Sequence, residues 1–482
     1  MLFIQSHSLS RPTNEAERLR LLDALEAKGF VPLLRSVRRR LMQTLLSGVG
    51  SEAPTPDLSA YFERETAARG GDDEGAAYTP GELFCQGDCV LALVFRREGV
   101  EASIVYSVET AEPLARLERF RTEVRGALAG LREEGREEEA TTAQQEPPGW
   151  QARTGRASQG LARFIAIQPT EVVLASSAQR GGRQLTRASE LLEEPSVRTF
   201  LRRVQEMRRE GYTPRRLLRE AGALSGVSLE KMLEAGLLER DLRVSCRKSG
   251  HALFDLPSPD SLAAVTISKA RCSQCAAPVA DEVIEETFNP TRLAVSLLED
   301  GGWLTNRVYK IIRSLGVPDS QIATGPASPH GESYLAVEVC GSSFLFVTRD
   351  GDLTPAFCRR AAETVEETEA DHLVVVVTGE AEDEGRMRLY EFAWRRARAG
   401  SDLGTVVVEG LGAAREQIER AFQSAARREL SRALHTLDGA LGFSSSAFVL
   451  EWFRLSRARG EGEGEAGGRE PLFRRLDERV AS

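Results

Sequence analysis

The sequence predicts a multidomain α/β protein. Three observations carry that expectation. The chain has 482 residues, room for two to four domains at ~100–200 residues each. Strand-like alternation and helical periodicity follow one another in two separate stretches, 84–134 and 290–434. Between them, residues 136–160 read REEEATTAQQEPPGWQARTGRASQG, a polar run with the composition of a linker.

Composition removes several classes. Hydrophobic residues make up 41% of the chain and charged residues 28%, which excludes a collagen-like, mucin-like or wholly disordered protein. No apolar run approaches the ~18 residues of a membrane helix; Cys89–Phe95 (CVLALVF) is among the longest, so no membrane partner is expected. The start, MLFIQSHSLSRP, carries no basic segment ahead of an apolar stretch, so no signal peptide is read. Seven cysteines, an odd number, point to a reducing, cytoplasmic setting with thiols used in the core or on metal.

The elements follow in order. Residues 14–47 show helical periodicity through Leu19, Leu22, Leu25, Leu33, Leu34, Val37, Leu41 and Leu45. Residues 49–82, rich in Gly, Pro, Ser and acids, read as a loop. Phe84–Phe95 and Ala102–Val108 read as two strands joined at Arg96–Gly99, with a helix over 111–134. This α+β domain, 1–135, is followed by the 136–160 linker. Arg163–Ala175, interrupted by Pro169, predicts two short strands, and a long helix should cover 186–210.

Within the 161–243 segment, Thr213-Pro214 starts a short helix ended by Gly222, and Ser228 caps a second one ended by Gly236. LLERDLRVSC then alternates like a strand. Two short helices and a strand at this spacing resemble a winged-helix unit. That implies either duplex binding by the second helix or a packing module. The second helix reads SLEKMLEAG, and its acids favour packing. The net charge is −9, which argues against a protein coated in basic surface. Yet Arg198–Lys248 holds 13 basic and 7 acidic residues, a local excess sufficient for phosphate contact.

Residues 244–287 hold Cys246-Arg-Lys-Ser-Gly-His251 and Cys272-Ser-Gln-Cys275. Structural zinc is tetrahedral and takes four soft or borderline ligands on two tight knuckles. The second knuckle is intact. The first resembles the zinc-ribbon pattern C-x-x-C-G-H, with Ser249 in the place of its second cysteine. The expected ligand set is Cys246, His251, Cys272 and Cys275, holding a structural zinc. The rival is a metal-free ribbon packed on Leu253, Phe254, Leu256 and Val265. Elsewhere, Cys85 and Cys89 carry a weak metal or redox pattern, and Cys340 and Cys358 read as core residues. His330 and His372 have no nucleophile at a fixed offset. Gly410-Leu-Gly412 lacks the rest of a phosphate loop.

Residues 288–440 predict an α/β sandwich. Helices at 290–299 and 303–315 precede strands at 333–340 and 343–348, then a helix at 355–369, strands Leu373–Thr378 and Thr405–Glu409, and a helix at 412–434. Its words GESYLAVEV, CGSSFLFVTRDGDL and ADHLVVVVTG resemble the restriction-endonuclease-like, or PD-(D/E)xK, fold. The order also resembles bacterial proteins in which such a domain follows a winged helix and a zinc ribbon. The resemblance covers residues 212–425. It implies an acid on the first of these strands and an E-x-K tripeptide at the end of the second, because two carboxylates hold Mg²⁺ and the lysine stabilises developing charge. Tyr334 falls on the acid, Val347 on the glutamate and Arg349 on the lysine. Neither Tyr nor Val offers Mg²⁺ the hard ionised oxygen it takes. A shifted site from Glu332, Glu338 and Asp350 is the fallback, and Mg²⁺ is expected only if that site is active.

The sequence therefore predicts a non-catalytic protein on a degenerate nuclease-like domain that binds nucleic acid, DNA or RNA, or a protein complex. Arg202, Arg215, Arg216 and Arg349 are the phosphate-contacting candidates. Family resemblance places such a protein in a bacterial anti-phage or DNA-processing system. The alternatives are a divergent Mg²⁺-dependent nuclease and a purely structural subunit. Residues 456–482 are low-complexity and read as a flexible tail.

Overall fold

A computed structural model describes residues 1–36, 80–134, 149–152, 159–166, 181–209, 228–248, 252–256, 271–276, 278, 283–299, 301–325, 328, 330–401, 403–441 and 444–462. The protein is mixed α/β and divides into two compact units, Met1–Gly155 with Phe422–Ser482, and Arg156–Ala421. Among the described residues, no helix is long and apolar enough to cross a membrane.

The first unit opens with strand β1 (Leu2–Leu9) and helix α1 (Glu15–Ala27). Asn14 and Glu17 form a reciprocal cap at 2.9 and 3.0 Å, satisfying amides that the first turn leaves open. The helical run expected over 14–47 breaks early. Lys28 and Gly29 end α1, Gly29 in the left-handed region, and Pro32 bridges to Phe84. Residues 37–47 lie outside the described residues. Strands β2 (Gly81–Gln86), β3 (Cys89–Arg96) and β4 (Gly99–Ser107) follow, then helix α2 (Pro113–Glu134) and the short β5 (Gln151–Ala152). The single strand expected at Phe84–Phe95 is thus a hairpin, turned by Gly87-Asp88 with Gly87 at φ +61°.

The sheet is antiparallel throughout, in the order β2-β3-β4-β1-β5. Leu91, Leu93 and Phe95 face α1 and α2, where Phe30, Phe84 and Phe120 pack with centroids 5.2–6.1 Å apart. Val90, Ala92 and Val94 alternate to the opposite face and are equally buried. A Cβ on Gly81 would lie 2.7 Å from the Leu437 side chain, so the segment after Phe422 covers that face. Burial on both faces explains why β3 is a continuous apolar run.

The second unit begins with helices α3 (Gln159–Ala166), α4 (Gly181–Leu191) and α5 (Pro195–Arg209). Arg163–Ala166, expected as strand, is helical; 167–180 lies outside the described residues. The single helix expected over 186–210 is two, because Leu192–Glu194 interrupts it and Pro195 starts the second. The helix expected after Thr213, with Arg215 and Arg216, lies outside the described residues. Helix α6 (Leu229–Glu234) is capped by Ser228 and closed by Gly236 at φ +71°, as its sequence predicts. Strands β6 (Leu238–Ser245), β7 (Ala252–Leu256) and β8 (Val283–Pro290) form an antiparallel sheet with β6 central.

Helices α7 (Arg292–Glu299) and α8 (Gly302–Ser314) lead into a mixed sheet. Its elements are β9 (Ile322–Thr324), β10 (Glu332–Val339), β11 (Ser342–Arg349), α9 (Pro355–Thr368), β12 (His372–Val377), α10 (Asp383–Arg398) and β13 (Gly404–Glu409). The order is β13-β12-β11-β10-β9; β9, β10 and β11 pair antiparallel and β11, β12 and β13 parallel. Tyr334, Val347, Val375 and Val377 share a core with Phe357, Val365, Leu389 and Phe392 of α9 and α10. Phe344, Phe346 and Thr348 alternate to the other face, where Thr348 Oγ1 meets Thr305 Oγ1 of α8 at 2.9 Å. The crossover helix α10 was absent from the sequence expectation. Helix α11 (Ala414–Leu441) starts here and passes at Phe422 into the first unit, followed by α12 (Ser445–Gly462). The helix α12 covers 456–462 of the expected tail; 463–482 lies outside the described residues.

Phe120 is fully buried between Phe30 and Phe84. Phe120→Ala is expected to destabilise the first unit by about 3–5 kcal/mol through lost burial and the cavity left behind, read as a lower urea midpoint.

Candidate functional site

The hairpin β10–β11 turns through Cys340 at φ +52° and Gly341 at φ +72°. Two positive φ values make the two-residue turn whose twist matches the flanking strands. That turn fixes the register: Val339 faces Ser342, Glu338 faces Ser343, Tyr334 faces Val347 and Glu332 faces Arg349. Directly opposed residues share a face of the sheet. The sequence-aligned trio Tyr334, Val347 and Arg349 is therefore brought together on one face.

Two of the three are core residues. Val347 is fully buried, and the Tyr334 ring packs edge-on against Phe164 with centroids 5.3 Å apart. The Tyr334 hydroxyl donates to Glu332 Oε2 at 3.3 Å. Burial, then the Glu332 charge, pushes the phenol pKa upward, so it stays neutral.

Glu332 is a buried carboxylate held by cations. Arg360 of α9 donates Nε at 2.8 Å and also Nη2, Ser328 Oγ donates at 3.1 Å, and Arg349 Nη1 stands 3.8 Å away. The carboxylate in turn raises the Arg360 pKa. Arg349 lies over the Phe357 ring at 5.4 Å. Asp350 is likewise enclosed: Arg198 Nε at 3.3 Å, Arg202 Nη2, and the Thr378 hydroxyl at 2.8 Å. Arg198 also stacks on Trp303 at 4.7 Å and donates to the Leu192 and Glu193 carbonyls. Glu338 sits on the same face as Glu332, six residues and ~20 Å further along the strand. Glu332, Glu338 and Asp350 thus do not converge on a common point.

Among the described residues, one group of three or more metal-ligating side chains does converge, Cys246, Cys272 and Cys275, with all ligand atoms within 4.8 Å of one another. Cys246 directly follows β6, and Cys272–Cys275 is a turn closed by the Ala276 amide on the Cys272 carbonyl at 2.9 Å. Cys246 Sγ and Cys275 Sγ are 3.3 Å apart. Backbone amides of Cys275 and Gln274 donate to the Cys272 sulfur and bring its pKa down to about 7, so thiolate is available at neutral pH. Tetrahedral zinc at ~2.3 Å from each sulfur needs sulfurs ~3.8 Å apart, so this cluster fits a thiophilic ion. Ser249 and the expected fourth ligand, His251, lie outside the described residues.

The remaining cysteines are built differently. Burial pushes Cys85 up to about 12 and Cys358 up to about 11, and raises Cys89. His372 is buried and stacked on Phe344 at 4.2 Å, while His330 is exposed. Sequence reasoning missed Arg360 and Arg198. Each meets its acid across a long stretch of chain, and no local pattern marks such a pair.

No protein-family model, curated protein or solved structure matches this chain.

Arg360→Ala would leave the buried Glu332 with Arg349 at 3.8 Å as its one remaining cation among the described residues, and should cost about 3–5 kcal/mol in chemical denaturation. Adding Glu332→Gln removes the stranded charge and should recover part of that loss. The depressed Cys272 pKa gives thiolate above about pH 7 and thiol below it. Metal binding displaces protons from thiols, so affinity for Cd²⁺ as a probe should fall steadily as pH is lowered from 8 to 6. Calorimetric titration at several pH values reads this directly, and Cys272→Ser should weaken binding at every pH.

Proposed function

We propose that this chain is a non-catalytic binding protein on a degenerate nuclease-like α/β domain, with a cysteine module that takes zinc as a structural ion. One observation carries the reading. The two positions that should offer oxygens to Mg²⁺ hold Tyr334 and Val347 in the core, and the nearby acids Glu332 and Asp350 are neutralised by arginines. A hydrolytic Mg²⁺ needs at least a pair of free carboxylates facing the scissile phosphate. The same geometry tells against the relocated site. Support for the scaffold comes from the order α8, the paired strands β10 and β11, α9 and the parallel strand β12, the order on which the resemblance rests. Zinc is preferred because three converging sulfurs suit a soft-tolerant tetrahedral ion better than Mg²⁺ or Ca²⁺.

The proposed ligand is nucleic acid, drawn by the basic excess of 198–248. A second reading, a subunit that binds protein partners, is favoured by a specific observation: Arg202 and Arg349 already face Asp350 and Glu332. The anti-phage or DNA-processing setting rests on the resemblance.

Purified protein incubated with Mg²⁺ or Mn²⁺ is expected to leave duplex and single-stranded DNA and RNA intact. Gel shifts should show duplex retention that falls steeply between about 50 and 200 mM salt, as counterion release requires. Metal-dependent cleavage lost in Glu338→Gln would overturn the non-catalytic reading. No retention at low salt would move the assignment to the protein-partner reading.

A further inference from the structure

The outward face of α10 plays no part in the site above. Leu389 and Phe392 point inward and are buried. Met387, Tyr390 and Trp394 point the other way and are 61%, 57% and 56% exposed. At 3.6 residues per turn these three fall within ~60° of one another. The other large exposed apolar side chains among the described residues, Val31, Val108, Leu114 and Ile284, are scattered. A Met, a Tyr and a Trp aligned on one helix face are the residue types that anchor protein interfaces, whereas scattered apolar residues need no explanation. Arg398 extends the stripe, its guanidinium 3.8 Å from the centre of the Trp394 ring.

Charge identifies the occupant. The first turn of α10 is acidic, with Asp383 and Glu384, and the last is basic, with Arg395, Arg396 and Arg398. Such a helix is complementary to itself in the antiparallel sense. We propose that α10 pairs antiparallel with the α10 of a second copy of this chain, about a two-fold axis passing near Tyr390 and Glu391. That axis sets Met387 against Trp394 and Asp383 against Arg398, each twice, as an isologous contact requires. Thioether against indole and carboxylate against guanidinium are both favourable pairs. A nucleic-acid strand on the same face would meet Asp383, Glu384 and Glu391, whose charge opposes phosphate. The helix is ~24 Å long, so the contact lies at the small end of specific interfaces and fits an equilibrium in the micromolar range. The proposal stands independently of the nucleic-acid reading.

Sedimentation equilibrium on the full chain, from about 1 to 100 µM, tests it. A reversible monomer–dimer equilibrium is expected, weakened about tenfold or more by Trp394→Ala. Asp383→Arg and Arg398→Asp should each weaken it, and the two together should restore it, because the swap recreates the pair. Circular dichroism checks that these exposed substitutions leave the fold intact. A monomer over the whole range, or a dimer indifferent to Trp394→Ala, overturns the proposal. So does a chain that stays monomeric and binds single-stranded oligonucleotide only when Trp394 is present.

Discussion

The antiparallel register of β10 and β11 is the constraint on which the second unit depends. The Cys340-Gly341 turn allows one pairing, and side chains alternate strictly along each strand. A slip of one residue would send either Tyr334 or Val347 to the face of α8 and part Glu332 from Arg349. With the observed register, Tyr334, Val347 and Arg349 line up on the face that packs against α9 and α10. That face is part of a hydrophobic core, with Phe357, Val365, Leu389 and Phe392 packed against it.

Glu332 shows how a carboxylate is accommodated inside the sheet–helix core. A buried carboxylate is unfavourable unless it is paired and hydrogen-bonded. Arg360, Arg349 and Ser328 supply that pairing, and the neutral Tyr334 hydroxyl completes it. Asp350 repeats the pattern with Arg198, Arg202 and Thr378. In both cases guanidinium groups, charged at every physiological pH, neutralise the acid. The cysteine cluster follows the opposite logic: its sulfurs converge with amide support, an arrangement that favours a bound ion.

Much of the secondary structure was legible in the sequence. The strands at 332–339, 342–349, 372–377 and 404–409 and the helix after Thr354 follow from alternation, apolar runs and capping. The misreadings have physical causes. CVLALVF hid the Gly87-Asp88 turn because both faces of β3 are buried, which erases the alternation that marks strand ends. The helix α10 escaped because its apolar residues lie on two opposite faces, one toward the core and one toward solvent, so no single stripe stands out.

The sequence by itself determined which residues can carry chemistry: three cysteines at metal-ligand spacing, and, at Tyr334 and Val347, side chains that offer no ionised oxygen. Residue type sets ligand chemistry, and no fold changes it. Only the tertiary structure decided the company those residues keep. It joined Arg360 to Glu332 and Arg198 to Asp350, brought Phe422–Ser482 into the unit of residues 1–155, and turned Met387, Tyr390 and Trp394 outward together. Such pairings join positions far apart in the chain. They are set by the packing of whole faces, which local periodicity does not encode.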